Sequence, residues 1–288
     1  SLQALTGFSM QSIMIVMGFC IIVYTVLGGM AAVIWTEVIQ GVIKTLGALL
    51  ILYLVIKQIP GGFTKVMEIA KADNKFSLGS TDINFTQPTF WVVLLYGFFS
   101  NLNNFGMDQN YIQRYHTAAS EKQAAKSVWL CVWMYVPVSF LFVIIGTSLY
   151  SIYQLQPDLI DPVKIKLAVE KLGAAATNEQ IQSLAATFKP ADYADKVLPH
   201  FMVTKVPTGL LGVLVAAILS AAMSTISSNM NASATVFTMD IYKRYFKPGL
   251  NDKQQLFSLH LAIVIFGLIG LSAGLAMIGA KSFLDSWW

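Results

Sequence analysis

Residues 216–231 read Ala216-Ala217-Ile218-Leu219-Ser220-Ala221-Ala222-Met223-Ser224-Thr225-Ile226-Ser227-Ser228-Asn229-Met230-Asn231. The stretch sits inside a block, Gly209 to Phe237, that holds no charged residue. About 20 apolar residues in a helix cross the hydrocarbon core of a bilayer, so the block is long enough to span one. Its middle is nevertheless rich in small and hydroxyl side chains, and two readings of that are open. Small residues let membrane helices approach closely, and Ser or Thr can bond back to the preceding turn. Alternatively, Ala221, Ser224 and Thr225 stand at i, i+3 and i+4, which puts one backbone carbonyl and two hydroxyls on one face. Ser224, Ser227 and Ser228 repeat that spacing one turn on. A hard cation takes an all-oxygen shell, and neutral oxygens suit a singly charged ion that must bind and then leave.

Outward from this block the chain has the same character. Of its 288 residues 56% are apolar and 12% charged, where a soluble domain carries roughly 25% charged residues. The mean hydropathy is +0.62. With 18 Phe, 11 Tyr and 6 Trp there is too much apolar surface for a disordered chain. The apolar residues fall in blocks that predict spans over approximately 8–27, 30–56, 88–107, 124–153, 209–237 and 256–278, the first two parted by a tight turn at Gly28-Gly29. This is an all-α polytopic membrane protein. The polar segment 157–206 reads as an insert outside the membrane, with helical apolar spacing over Val163 to Phe188.

Loop charges predict the orientation. Arg114, Lys122 and Lys126 crowd the loop 114–126, and Lys243, Arg244, Lys247 and Lys253 crowd the loop 243–253. Short loops dense in Lys and Arg stay cytoplasmic. The two loops are an even number of spans apart, so both fit on that side, and the long segments 57–87 and 154–206 then face outward. A net charge of +4 gives no reason to invoke nucleic acid.

Polar residues within the spans are the candidate functional groups, because an intramembrane charge costs about 2.5–3.5 kcal/mol on insertion scales. Glu37 is the clearest, with Lys44 as a candidate partner or a snorkelling side chain. The third block ends Ser100-Asn101-Leu102-Asn103-Asn104-Phe105-Gly106. That pattern suits either an interrupted helix lining a cavity or a helix that stops early at the interface. Catalysis has little support: His116 and His200 fall in loops, His260 stands alone in a span, and no paired carboxylates or Ser-His-Asp order appear. Cys20 and Cys131 lie in apolar blocks and make no metal site.

Several stretches together resemble the sodium/solute symporter family, which includes the sodium–glucose and sodium–sialic acid cotransporters. Gly28-Gly29 with Ala32-Val33-Ile34-Trp35-Thr36-Glu37-Val38-Ile39-Gln40 is similar to the family's GG…AVxWTDxxQ segment. Asp108-Gln109-Asn110-Tyr111-Ile112-Gln113-Arg114 is similar to its DQxxxQR segment. Residues 221–228 resemble its sodium helix, and Asp240-Ile241-Tyr242 the segment that follows.

The resemblance implies a partial LeuT-like inverted-repeat fold. It supplies helices 4 to 9 of the ten-helix core plus the ends of helices 3 and 10, as an internal piece of a longer chain. It also implies sodium-coupled symport of a small polar solute (a sugar, sialic acid or organic acid) by alternating access in the plasma membrane, or the inner membrane of a bacterium. Sodium, the solute and the bilayer are then the partners, with Na+ the coupling ion. A sodium/solute sensor or channel of the same fold, and a fragment inactive on its own, are the alternatives.

Carried over residue by residue, Ala221 offers a carbonyl and Ser224 and Thr225 hydroxyls to one sodium site. Glu37, Ser224, Ser227 and Ser228 offer a second, and the complete hydroxyl set leans the reading to two ions. Here Glu37 stands where the family usually has Asp. For the solute, Asn101 falls where galactose transporters bind sugar with an amide. Asn104 replaces their aromatic gate, and Trp133 stands where they carry Lys. Galactose-type recognition is therefore in doubt, while amides still favour a polar, hydrogen-bonding solute. Phe105 and Trp133 are candidates to stack on a ring.

Overall fold

The computed structural model describes residues 7–173 and 176–279, and every regular element among them is helical. In chain order these are α1 (Met10–Lys57), α2 (Gly62–Ala72), α3 (Phe90–Gly106), α4 (Gln109–Tyr115) and α5 (Glu121–Leu155). They continue with α6 (Asp161–Leu172), α7 (Asn178–Thr187), α8 (Pro190–Lys205), α9 (Thr208–Val236) and α10 (Asp252–Ala276). A π-helical extension, Phe237–Phe246, prolongs α9. Four of these are long and apolar enough to cross a membrane: α1, α5, α9 with its extension, and α10. The 17 residues of α3 sit at the short end of the spanning range, roughly 17–25 residues.

α1 holds the first two apolar blocks as two arms. Helical bonding is assigned across the junction, but Gly29 has φ 54° and ψ −153°, a region essentially reserved for glycine. A Cβ on Gly28 would lie 2.1 Å from that of Ala32. The paired glycines are thus required where the arms meet.

The chain divides into two compact units. One contains Phe8–Ile43, Leu78–Trp133 and the chain from Ile218 on. Its core is Ile21, Met230, Ala234, Ala262 and Ile263, with Ile22, Tyr24, Met223 and Phe266 packed around them. Three glycines set the close approach of the helices here. A Cβ on Gly267 would meet Ile22 Cγ1 at 2.6 Å, one on Gly274 would meet Met14 Cε at 2.6 Å, and one on Gly18 would touch Leu271 at 3.2 Å. Small residues at crossings are how membrane helices gain dispersion contact where lipid offers no hydrophobic drive.

The other unit contains Lys44–Ser77 and Met134–Ala217. Leu167, Ala168, Ala185 and Phe188 form its core across α6 and α7. Lys196 of α8 pairs with Glu170 of α6 at 2.7 Å. On α5, the Tyr150 hydroxyl donates to Asp73 at 2.9 Å, and Lys75 Nζ stands 3.9 Å over the Tyr150 ring.

The structure refines three sequence expectations. The segment Val163 to Phe188 is divided between α6 and α7: Gly173, at φ 84°, closes α6, and Thr177 opens α7 with a capping box to Gln180. Beyond the proposed span 209–237 the helix runs on to Phe246 with wider, π-type winding. Of the two readings of the third block, the structure favours a helix that stops early: α3 continues through its amides to Gly106 and ends with the Met107 and Asp108 amides donating to the Asn103 carbonyl. One helical turn satisfies amide side chains internally, as Asn101 Nδ2 donating to the Gly97 carbonyl at 2.7 Å shows.

A polar seam on α9 as the candidate functional site

Asp108 begins the site. Its backbone is extended and its side chain accepts from the Asn110 amide at 2.7 Å, an N-cap that starts α4 right after α3 ends. On α4, Asn110, Gln113 and Arg114 stand at i, i+3 and i+4 and therefore share a face. Each meets a polar residue of α9. Asn110 Nδ2 donates to Asn229 Oδ1 at 2.9 Å, and Asn231 Nδ2 donates to Gln113 Oε1 at 3.1 Å. Arg114 Nη2 donates to Ser228 Oγ at 2.9 Å.

Arg114 also reaches the second arm of α1. Its Nη2 lies 2.7 Å from Glu37 Oε1 and 2.9 Å from Oε2, with side-chain exposures of 30% and 21%. Ser228 Oγ donates to the same Glu37 carboxylate, and Arg114 Nη1 donates to the Asn110 carbonyl. A carboxylate this sheltered is tolerable because a guanidinium and a hydroxyl meet it at once. The partner of Glu37 is therefore Arg114.

The sodium-site candidates lie next to this pair. Ser224 Oγ and Thr225 Oγ1 both donate to the Ala221 carbonyl, at 3.0 and 3.1 Å. That brings three oxygens together on one turn, with Ser224 buried and Thr225 exposed. This back-bonding is what the packing reading expected; it occupies the Ala221 carbonyl and spends the hydroxyl protons, while the hydroxyl oxygens keep lone pairs that can face a cation. Ser227 donates to the Ser224 carbonyl at 3.2 Å, and Ser228 Oγ lies 2.8 Å from the same carbonyl, its single proton having Glu37 as the alternative acceptor. Glu37, Ser224, Ser227 and Ser228 thus form one contiguous cluster, extended by the Tyr24 hydroxyl donating to the Met223 carbonyl at 3.4 Å.

The four solute candidates are less united. Asn101 is exposed and borders an apolar groove of about 750 Å³ with Phe90, Leu94 and Phe98. Asn104 and Phe105 are half-buried, and the Phe105 ring stands 5.0 Å from that of Tyr111. Trp133 is 71% exposed, and no hydrogen bond or ring contact among the described residues joins it to the amides.

In the sequence reading Arg114 served as a loop charge and stood with Asn110 and Gln113 in the DQxxxQR-like segment, but none of Arg114, Asn110, Gln113, Asn229 and Asn231 was named as a site residue. One signal was present: an acid within a span needs a countercharge, and Arg114 ends the polar segment that resembles the DQxxxQR motif. Below the Asn110–Asn229 rung a cavity of about 380 Å³ is lined by Asp108, Asn110, Asn229, Ser233, Phe237 and Phe266, among others.

Comparison with known proteins bears on this arrangement. A family model described as the sodium:solute symporter family matches residues 2–280. The sodium/sialic acid symporter SiaT of Proteus mirabilis is 27% identical over 280 residues, which are 96% of this chain and 51% of that protein. The sodium/glucose cotransporter of Vibrio parahaemolyticus is 29% identical over 260 residues, 88% of this chain and 44% of that one. A solved structure described as the substrate-bound outward-open state of a Na+-coupled sialic acid symporter, with a novel Na+ site, matches with a TM-score of 0.80. The identity is 26%, over 97% of this chain and 55% of that one. The chain spans about half the length of the curated relatives it matches. Its helices make up part of a LeuT-like fold.

Proposed function

The chain belongs to the sodium:solute symporter family, and from that premise we propose that the protein it is part of carries out sodium-coupled symport of a small polar solute. The observation that carries this reading is the oxygen cluster on α9, where the Ser224 and Thr225 hydroxyls converge on the Ala221 carbonyl within 3.1 Å. Such a set offers a sodium ion neutral ligands that are already oriented and cost little to leave. Glu37 with Ser224, Ser227 and Ser228 forms the second sodium site of the proposal, one turn along the same helix. Both relatives named above are sodium-coupled carriers.

The helices 8–27, 30–56, 88–107, 124–153, 209–237 and 256–278 act as spans of the plasma membrane, or the inner membrane of a bacterium. The loop at 114–126 faces the cytoplasm. Sodium binding favours one state of the carrier and solute binding the next, so the two are coupled to the extent that each binds one state better. Asn101, Asn104, Phe105 and Trp133 are the proposed solute contacts. Amides can both donate to and accept from hydroxyls and carboxylates, as a sugar, sialic acid or organic acid requires.

The test is uptake by the full-length protein in vesicles, with sugars, sialic acids and carboxylates supplied with and without a sodium gradient. Accumulation of one solute class that disappears when potassium replaces sodium supports the reading. Equal uptake in both salts overturns it.

A further inference from the structure

Glu37 presents both carboxylate oxygens to a single guanidinium nitrogen, at 2.7 and 2.9 Å. Ser228, a hydroxyl of the same cluster, is also engaged by that nitrogen at 2.9 Å. A sodium ion using Glu37 and Ser228 would need the same oxygens. Two cations cannot share them, since the guanidinium closes one side of the carboxylate and repels a second positive charge at contact distance. We infer that Arg114 is a tethered cation which competes with sodium for the Glu37–Ser228 site, so that filling this site and releasing α4 from α9 are one event. This rests on the proposed second sodium site and adds how that site is regulated.

Three features favour exchange over a purely structural pair. Glu37 and Arg114 keep 21% and 30% exposure, so the described helices do not seal the pair. Arg114 retains a second acceptor, the Asn110 carbonyl on its own helix, which keeps part of its hydrogen bonding when it leaves Glu37. The remaining links between α4 and α9 are two neutral amide pairs, Asn110–Asn229 and Gln113–Asn231, which are weaker than a charge-assisted hydrogen bond. The charged rung is therefore the one that a competing cation can release.

The consequence is quantitative. When a site is open only part of the time, apparent affinity falls by the open fraction. If the pair is open about a tenth of the time, sodium at this site binds about tenfold more weakly than it would without Arg114. By reciprocity, sodium loosens the Arg114–Glu37 contact by the same factor.

The experiment is a titration of purified full-length protein with radioactive sodium by scintillation proximity. A Thr225→Ala background isolates the Glu37 ion. Arg114→Gln is expected to lower the half-saturating sodium concentration about tenfold, and Arg114→Lys about threefold, because an ammonium lacks the planar fork. In Glu37→Gln the added Arg114→Gln change is expected to bring no gain. A monodisperse Arg114→Gln protein with unchanged or weakened sodium binding overturns the inference. If that variant does not fold, Arg114→Lys carries the test, and an unshifted midpoint overturns it equally. Absence of sodium binding in the unaltered protein overturns the symport reading itself, and the inference with it. Binding in the unaltered protein with no shift in the variants overturns only the inference.

Discussion

Arg114 Nη2 stands 2.7 Å from Glu37 Oε1, although 77 residues separate the two in the chain. The pair is partly sheltered from solvent. Removing one partner strands the other charge, whereas removing both does not. Glu37→Gln and Arg114→Gln are each expected to destabilise the protein by about 1–3 kcal/mol, the fully buried cost discounted for partial exposure. The double variant is expected to cost less than the sum. Thermal unfolding of the four proteins in detergent checks this, and strict additivity would refute a direct pairing.

Thr225 is exposed and donates only to the helix carbonyl at Ala221. Thr225→Ala is therefore expected to leave stability within about 0.5 kcal/mol. The sodium dependence of uptake should nevertheless weaken, by about tenfold in half-saturating sodium for a lost ligand worth about 1.4 kcal/mol. Uptake kinetics across a sodium series decide it. An unchanged dependence removes Thr225 from the site.

The junction of the two arms of α1 gives a backbone prediction. Gly29 at φ 54° and ψ −153° leaves an L side chain strained by about 1–3 kcal/mol. Gly29→Ala should lower the unfolding temperature clearly, while Gly41→Ala, in open helix with nothing within 4 Å, should leave it steady or raise it. Equal effects at the two positions would show that the junction does not depend on glycine.

His200 lies on α8, outside the proposed spans. Burial, followed by the charges of Lys166 and Lys205, holds its pKa below the ordinary imidazole value. The unfolded segment then binds more protons than the folded one in the window just below about pH 6.5, so stability rises with pH through that window and falls on acidification. Hydrogen exchange of α6–α8 in the full-length protein, corrected for intrinsic rates, is expected to show weaker protection at pH 5.5 than at pH 7.5. His200→Gln should flatten the difference. A profile unaltered by that change would place the acid sensitivity elsewhere.

Helical class was legible because burial in lipid demands uninterrupted apolar runs, as in Phe8 to Leu27 and Gly209 to Phe237. The Gly28-Gly29 junction was legible too, since few residues other than glycine can occupy its backbone geometry. The three-helix insert was harder. Its apolar spacing is continuous enough to read as one helix, and the break at Gly173 depends on a single left-handed residue.

The sequence by itself determined which helices form and that Ala221, Ser224 and Thr225 share a turn, because helical periodicity is a local property of the chain. It also marked Glu37 as an acid in need of a partner. Only the tertiary structure decided that the partner is Arg114, and that Asn110 and Gln113 meet Asn229 and Asn231 beside it. Ion pairs and amide bonds act over a few ångströms between residues about 80 to 190 positions apart, and no local period records which side chains the packing of helices will bring together.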